Sequence, residues 1–96
     1  MLKKKIILLP IDYQLNTMGI SEKTIDELKN NLNIIINAAD SSEFEMRLDL
    51  QTDINVGAPL MLMKLAQKCL KFEIFCHVST TFALSDKTGF IDEKTF

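Results

Sequence analysis

Ile74, Phe75, Cys76, His77, Val78, Ser79, Thr80, Thr81 is the stretch on which the fold turns: a β-type apolar run ending abruptly in three hydroxyls. It reads as a strand over residues 72–78, and open α/β sheets keep their chemistry at such carboxyl ends. Working outward, residues 32–37 hold three consecutive isoleucines, Ile34, Ile35 and Ile36. Their stiff χ1 suits a strand, and the lack of alternation points to a parallel sheet covered on both faces. Between these two strands Leu48, Ile54, Leu62, Leu65, Ala66 and Cys69 recur at helical spacing. Gly57 and Pro59 interrupt that pattern, so the helix should bend there, or a shorter helix should begin with Pro59 in its first turn. Upstream, Ser21 stands where an N-cap belongs, and Ile25, Leu28 and Leu32 form the stripe of a helix over about residues 22–30. Residues 5–9, KIILL, closed by Pro10, read as a further strand. The expected order is β-α-β-α-β, an α/β fold with a partial Rossmann-like, three-stranded parallel sheet.

Composition narrows the function classes. At 96 residues, with a formal charge of -2 and a pI near 5.3, there is room for one small domain and no electrostatic case for nucleic acid. The basic run Lys3, Lys4, Lys5 precedes too few apolar residues for a signal peptide, and nothing here is long enough to span a bilayer. A reducing, cytoplasmic compartment is the default expectation. Cys69 and Cys76 fit it as small apolar core residues, and no spacing of ligands suggests a metal. Met18, Met61 and Met63 could suggest a lipid groove, but at helical spacing they read as core.

In collinear order, Met18 to Glu22, the strand ending Asn37, Ala38, Ala39, the stretch 44–56, the helix 60–69 and the run 75–80 with 89–96 resemble the fatty acyl-CoA reductase family. This is the male-sterility-type branch of the extended short-chain dehydrogenases and reductases. The resemblance covers nearly the whole chain. It implies NADPH as cofactor, long-chain acyl-CoA as substrate and fatty alcohol as product. Full relatives are often attached to membranes or peroxisomes, through regions this chain lacks. Thr80, with Ser79 as second choice, resembles the hydroxyl that hydrogen-bonds the substrate carbonyl and stabilises the oxyanion formed on hydride transfer. Asp12 resembles the aspartate that contacts adenine, a turn carboxylate being the alternative. Asn37, Ala38 and Ala39 resemble the segment whose small residues let backbone approach the cofactor's ribose and phosphates. Asp40 replaces the family's alanine, and its charge suits a dinucleotide only if it turns to solvent. Asn55 resembles the helix asparagine that sets local backbone and water structure near the active site. His77 belongs to the scaffold of its motif, as a packed, hydrogen-bonded histidine.

Two parts of the family pattern have no counterpart in these residues. A glycine-rich turn between strand and helix cradles the pyrophosphate, whereas Gly19, Gly57 and Gly89 are isolated. The proton donor is a tyrosine followed four positions later by lysine, whereas Tyr13 is followed by Thr17. The expectation is a single partial NAD(P)-binding domain over residues 1–96, truncated on both sides and inactive alone.

Topology sharpens it. The three strands match the third, fourth and fifth of a sheet ordered 3-2-1-4-5-6, so two strands are missing between the first pair. That leaves a gap of about 14 Å, which the chain should close by a new pairing or not form a sheet. Closure in sequence order puts both helices on one face and leaves the other bare. The alternative function is therefore a non-catalytic interaction module docking on itself or on a full-length relative. An unrelated small α/β binding domain ranks last, because it leaves the collinear resemblance unexplained.

Overall fold

Ser21 begins the first helix as its sequence position requires. The hydroxyl accepts from Thr24 N at 3.3 Å, Glu22 sits in the first turn, and α1 runs Glu22–Asn31. A computed structural model describes residues 5–43, 45–84 and 86–92. Lys3, Lys4, Phe44 and residues 93–96, which carry part of the basic run and of the resemblance, lie outside the described residues. After α1 come β1 (Ile34–Asn37), α2 (Leu48–Thr52), a π-helical segment (Asp53–Gly57), α3 (Ala58–Ala66) and β2 (Ile74–His77). Short 3-10 turns occupy Asn16–Gly19 and Thr81–Leu84.

The strands β1 and β2 pair in parallel, Ile34 opposite Ile74 through Asn37 opposite His77. Glu73 N donates to Asn33 O at 2.8 Å and Val78 N to Asn37 O at 2.9 Å, extending the ladder one step at each end. In the 3-2-1-4-5-6 order these two strands are neighbours, so their pairing needs no rearrangement.

The expected third strand does not form: residues 5–9 carry no regular structure, and Ile7 and Leu8 are 83% and 89% exposed. The physical reason is the missing interval. In the expected order residues 5–9 would stand three strand positions from β1, with two strands between, and a strand without a neighbour leaves its backbone groups to water. The gap is thus neither closed nor bridged.

α3 packs across both strands, and α1 lies beside it, tied by Leu70 N to Lys29 O at 2.8 Å. The covered sheet face carries Ile35, 8% exposed, and half-buried Phe75; Ile34, Ile36 and Ile74 stand exposed on the other. Cys76, expected in the core, is on that bare face and exposed, whereas Cys69 is half-buried. Met18 is buried as expected, but Met63 points outward.

Of the two expectations at Gly57 and Pro59 the second holds, a shorter helix, α3, beginning at Ala58 with Pro59 in its first turn, although the path before it stays helical. The backbone stays right-handed helical from Asp53 through Ala58, widening so that Ala58 N donates five residues back to Asp53 O. Pro59, in the first turn of α3, has no N–H to place and its ring needs room near the preceding turn, which the wider turn provides. Among the described residues no helix is long and apolar enough to cross a membrane.

Candidate functional site

Because β1 and β2 are parallel and in register, their carboxyl ends lie side by side. The chain leaves β1 through Ala38, Ala39 and Asp40, all exposed, and leaves β2 through Val78, Ser79 and Thr80, also exposed. The bond from Val78 N to Asn37 O holds the first residue beyond β2 against the last residue of β1.

At that edge Asn37, 4% exposed, meets His77: Nδ2 donates to His77 Nδ1 at 2.9 Å. With the amide as donor, the imidazole carries its proton on Nε2. His77 is hydrogen-bonded, as its motif suggested, but its ring is exposed rather than packed.

Thr80 Oγ1 accepts from Phe82 N at 3.3 Å, and Thr80 O accepts from Ala83 N at 3.2 Å, which starts the turn Thr81–Leu84. The accepted bond uses an oxygen lone pair and leaves the hydroxyl proton to donate. Ser79 is exposed one residue earlier.

Asn55 sits in the π-helical segment and grips the loop beyond β1 with both ends of its amide. Ser41 N donates to Oδ1 at 2.8 Å, and Nδ2 donates to Ser41 O at 3.1 Å. Gln51 Nε2 also reaches Ser41 O, at 3.5 Å, and Ser41 Oγ donates to Met46 Sδ at 3.4 Å. The side chain therefore fixes the path of the segment that follows Ala38 and Ala39. Ser41 carries no sequence signal for this role, because its partner is 14 residues away.

Asp12 stands apart. Its Oδ1 accepts from Gln14 N at 2.9 Å, and its backbone N donates to Met18 O at 2.9 Å, so the carboxylate shapes the turn that leads to α1. That turn is left-handed at Thr17, Met18 and Gly19, with φ of 59°, 55° and 69°, and it buries Met18. Nothing among the described contacts joins Asp12 to the strand ends.

The residues at the edge fit the nicotinamide and ribose end of a dinucleotide: small side chains at Ala38 and Ala39, and Asp40 turned to solvent. They do not fit a pyrophosphate, which needs converging backbone N–H groups at a glycine-rich turn. Gly89, with φ of 89°, has nothing within 4 Å of where a Cβ would stand, and Gly57 lies within a helix. Among the described residues no group of three His, Cys, Asp or Glu could hold a metal ion.

Residues 1–96 match, over their whole length, the NAD-binding family described as Male sterility protein. A probable fatty acyl-CoA reductase 4 of Arabidopsis thaliana is 31% identical over 94 residues, covering 97% of this chain and 19% of that protein. Fatty acyl-CoA reductase 1 of the same plant is 30% identical across all of this chain and 20% of its own length. The alcohol-forming fatty acyl-CoA reductase of Simmondsia chinensis is 28% identical over 97% of this chain and 19% of its own. The chain spans about one fifth of the length of these relatives. With a parallel strand pair whose carboxyl ends carry the matched residues, the chain belongs to the male sterility family of NAD-binding domains, the family of the fatty acyl-CoA reductases.

Proposed function

We propose that this chain carries the carbonyl-facing edge of an NADPH-dependent reductase of long-chain acyl-CoA, and that the 96 residues alone do not turn over. The carrying observation is the juxtaposition of Asn37, Ala38 and Ala39 with Val78, Ser79 and Thr80 at one edge of a parallel pair. Thr80 Oγ1 donates its free proton to the thioester carbonyl and stabilises the developing oxyanion, with Ser79 as the neighbouring hydroxyl. Asn55, through Ser41, holds the loop that borders the cofactor's ribose. When bound, the reduced nicotinamide supplies the hydride. Asp12 remains the candidate for adenine contact once its turn is set in a complete domain.

The test is NADPH fluorescence titration of the purified chain, together with NADPH consumption in the presence of palmitoyl-CoA. Neither saturable micromolar binding nor turnover is expected, because the phosphates find no cradle. Thioester-dependent NADPH oxidation by the chain alone overturns its inactivity. A full-length relative in which residues 1–96 replace the matching segment should fold and reduce palmitoyl-CoA; a folded graft without turnover overturns the assignment of the edge.

One observation favours a second reading, a module that docks on itself or on a full-length relative. Among the described residues Ile34, Ile36, Ile74 and Val78 form a bare apolar run beside strand edges with no further strand. A saturable complex with a full-length relative, without any NADPH response, would favour it.

A further inference from the structure

Residues 5–9 and the outer edge of β2 are complementary, and neither has a strand partner. Ile6, Ile7, Leu8 and Leu9 form an aliphatic run of the kind that suits a pleated surface, yet they carry no regular structure and stand exposed. β1 and β2 form a two-stranded sheet, so among the described residues each has one edge with no further strand. An extended apolar segment and an open sheet edge are the two halves of a strand addition.

The ladder shows which backbone groups face that edge. Parallel strands bond through alternate residues, and Ile74 N and Val78 N both donate to β1, to Asn33 O at 3.3 Å and Asn37 O at 2.9 Å. Ile74, Cys76 and Val78 therefore turn their backbone groups toward β1, and Phe75 and His77 turn theirs outward. β2 is also the less covered strand, since Cys76 and His77 are exposed whereas Ile35 and Asn37 of β1 are buried.

One alignment satisfies charge, face and pairing together. With residues 5–9 parallel to β2, Lys5 stands opposite exposed Glu73, and Ile6 and Leu8 fall on the bare face beside Ile74 and Cys76. Ile6 N and Leu8 N then donate to Glu73 O and Phe75 O, while Phe75 N and His77 N donate to Ile6 O and Leu8 O. The next bond needs an N–H at residue 10, which Pro10 lacks, so the ladder stops there. Reversing the segment moves Lys5 to the end that holds Val78 and Ser79 and gives up the charge pair. Along β1 the residue in the place of Glu73 is the uncharged Asn33.

We infer that residues 5–9 of one copy add as a parallel third strand to the outer edge of β2 in a second copy. Within a single chain the segment and the edge stay apart, so the second copy supplies the strand. This pairing rests on the self-docking reading above and names its donor and its acceptor.

The experiment is hydrogen exchange of the full chain over a range of concentrations, read residue by residue beside sedimentation velocity. The amides of Ile6, Leu8, Phe75 and His77 should slow at least tenfold as mass rises. Leu8→Pro removes one donor from a segment that is exposed in the single chain. It should abolish the slowing at Phe75 and His77 with far-UV circular dichroism unchanged, and Leu8→Thr, which keeps the N–H, should retain it. Glu73→Lys should weaken association about threefold, and Lys5→Glu combined with Glu73→Lys should restore it. A chain that associates while Phe75 and His77 exchange freely overturns the inference and leaves self-docking standing; a chain that stays monomeric overturns both. Slowing that is independent of concentration, slowing at Ile34 and Ile36 instead, association unchanged by Leu8→Pro, or a complex formed only with a full-length relative also overturns it.

Discussion

Thr80 holds one lone pair against a backbone N–H and keeps its proton for a ligand, so its hydroxyl serves both the turn that follows β2 and the proposed chemistry. Removal of a single oxyanion donor typically lowers turnover by about 10²–10³-fold. In a folded graft of residues 1–96 into a full-length relative, Thr80→Val should therefore reduce kcat by about 10²-fold with KM little changed, and Thr80→Ser should restore most of it. Steady-state kinetics on palmitoyl-CoA check this. Asn55 offers a test on the chain itself. Asn55→Ala leaves Ser41 N–H without its partner and Ser41 C=O with only the 3.5 Å bond from Gln51, a cost of about 1–3 kcal/mol. Hydrogen exchange at the Ser41 amide should rise at least tenfold, while the amides of β1 keep their rates. At this scale the sequence was legible where the role is local. The Ser21 cap and the Asp12 turn depend on neighbours within three residues. The Asn37–His77 pair spans 40 residues and the Asn55–Ser41 clasp 14, and no local preference announces either.

The helical stretch from Leu48 to Ala66 shows how an element absorbs a conflict between its residues. Gly57 and Pro59 are both unfavourable within helices, and the sequence reads them as a bend or as the start of a shorter helix with Pro59 in its first turn, the second of which is α3. Before that start the molecule keeps a helical path and widens a single turn, and Asn55 in that turn reaches Ser41. Gly57 itself is not required for that geometry: its φ is -60°, and a Cβ there would meet only Thr52 O at 3.9 Å, an ordinary contact. Gly57→Ala should therefore stabilise the chain by about 0.5–1 kcal/mol, chiefly by restricting the unfolded state. A higher urea midpoint with unchanged slope checks it, and a lower midpoint would show that the widened turn needs glycine. Strand limits were legible to within two residues, because the isoleucine run and the run before Ser79 carry strong β preferences. The same preferences misread residues 5–9, since propensity does not supply a neighbouring strand.

Across the whole molecule the fold is open. The radius of gyration is 16.1 Å, against about 12.5 Å for a compact domain of this length. The accessible surface is 8470 Å², against roughly 5,600 Å² for a folded chain of this mass. Among the described residues the buried apolar set is Met18, Ile35, Ala58 and Ala66, with Pro59 beside them, and no large side chain is fully enclosed. So small a core leaves little to offset chain entropy. The bare sheet face should therefore drive association: sedimentation velocity should show mass rising with concentration, and Ile36→Lys, on a side chain 68% exposed, should suppress it without loss of helicity. A wild-type chain that stays monomeric at high concentration would count against this. The β-α-β-α-β reading apart from its first strand, and the place of Thr80 just beyond a strand, followed from residue types and short spacings, since caps, helical stripes and β-branched runs act within a turn or two; family membership followed from the collinear resemblance. Which strands pair, which sheet face stays bare and how Asn55 clasps Ser41 emerged only on folding. Those features depend on contacts between distant residues, where burial and the presence of a neighbour outweigh local preference.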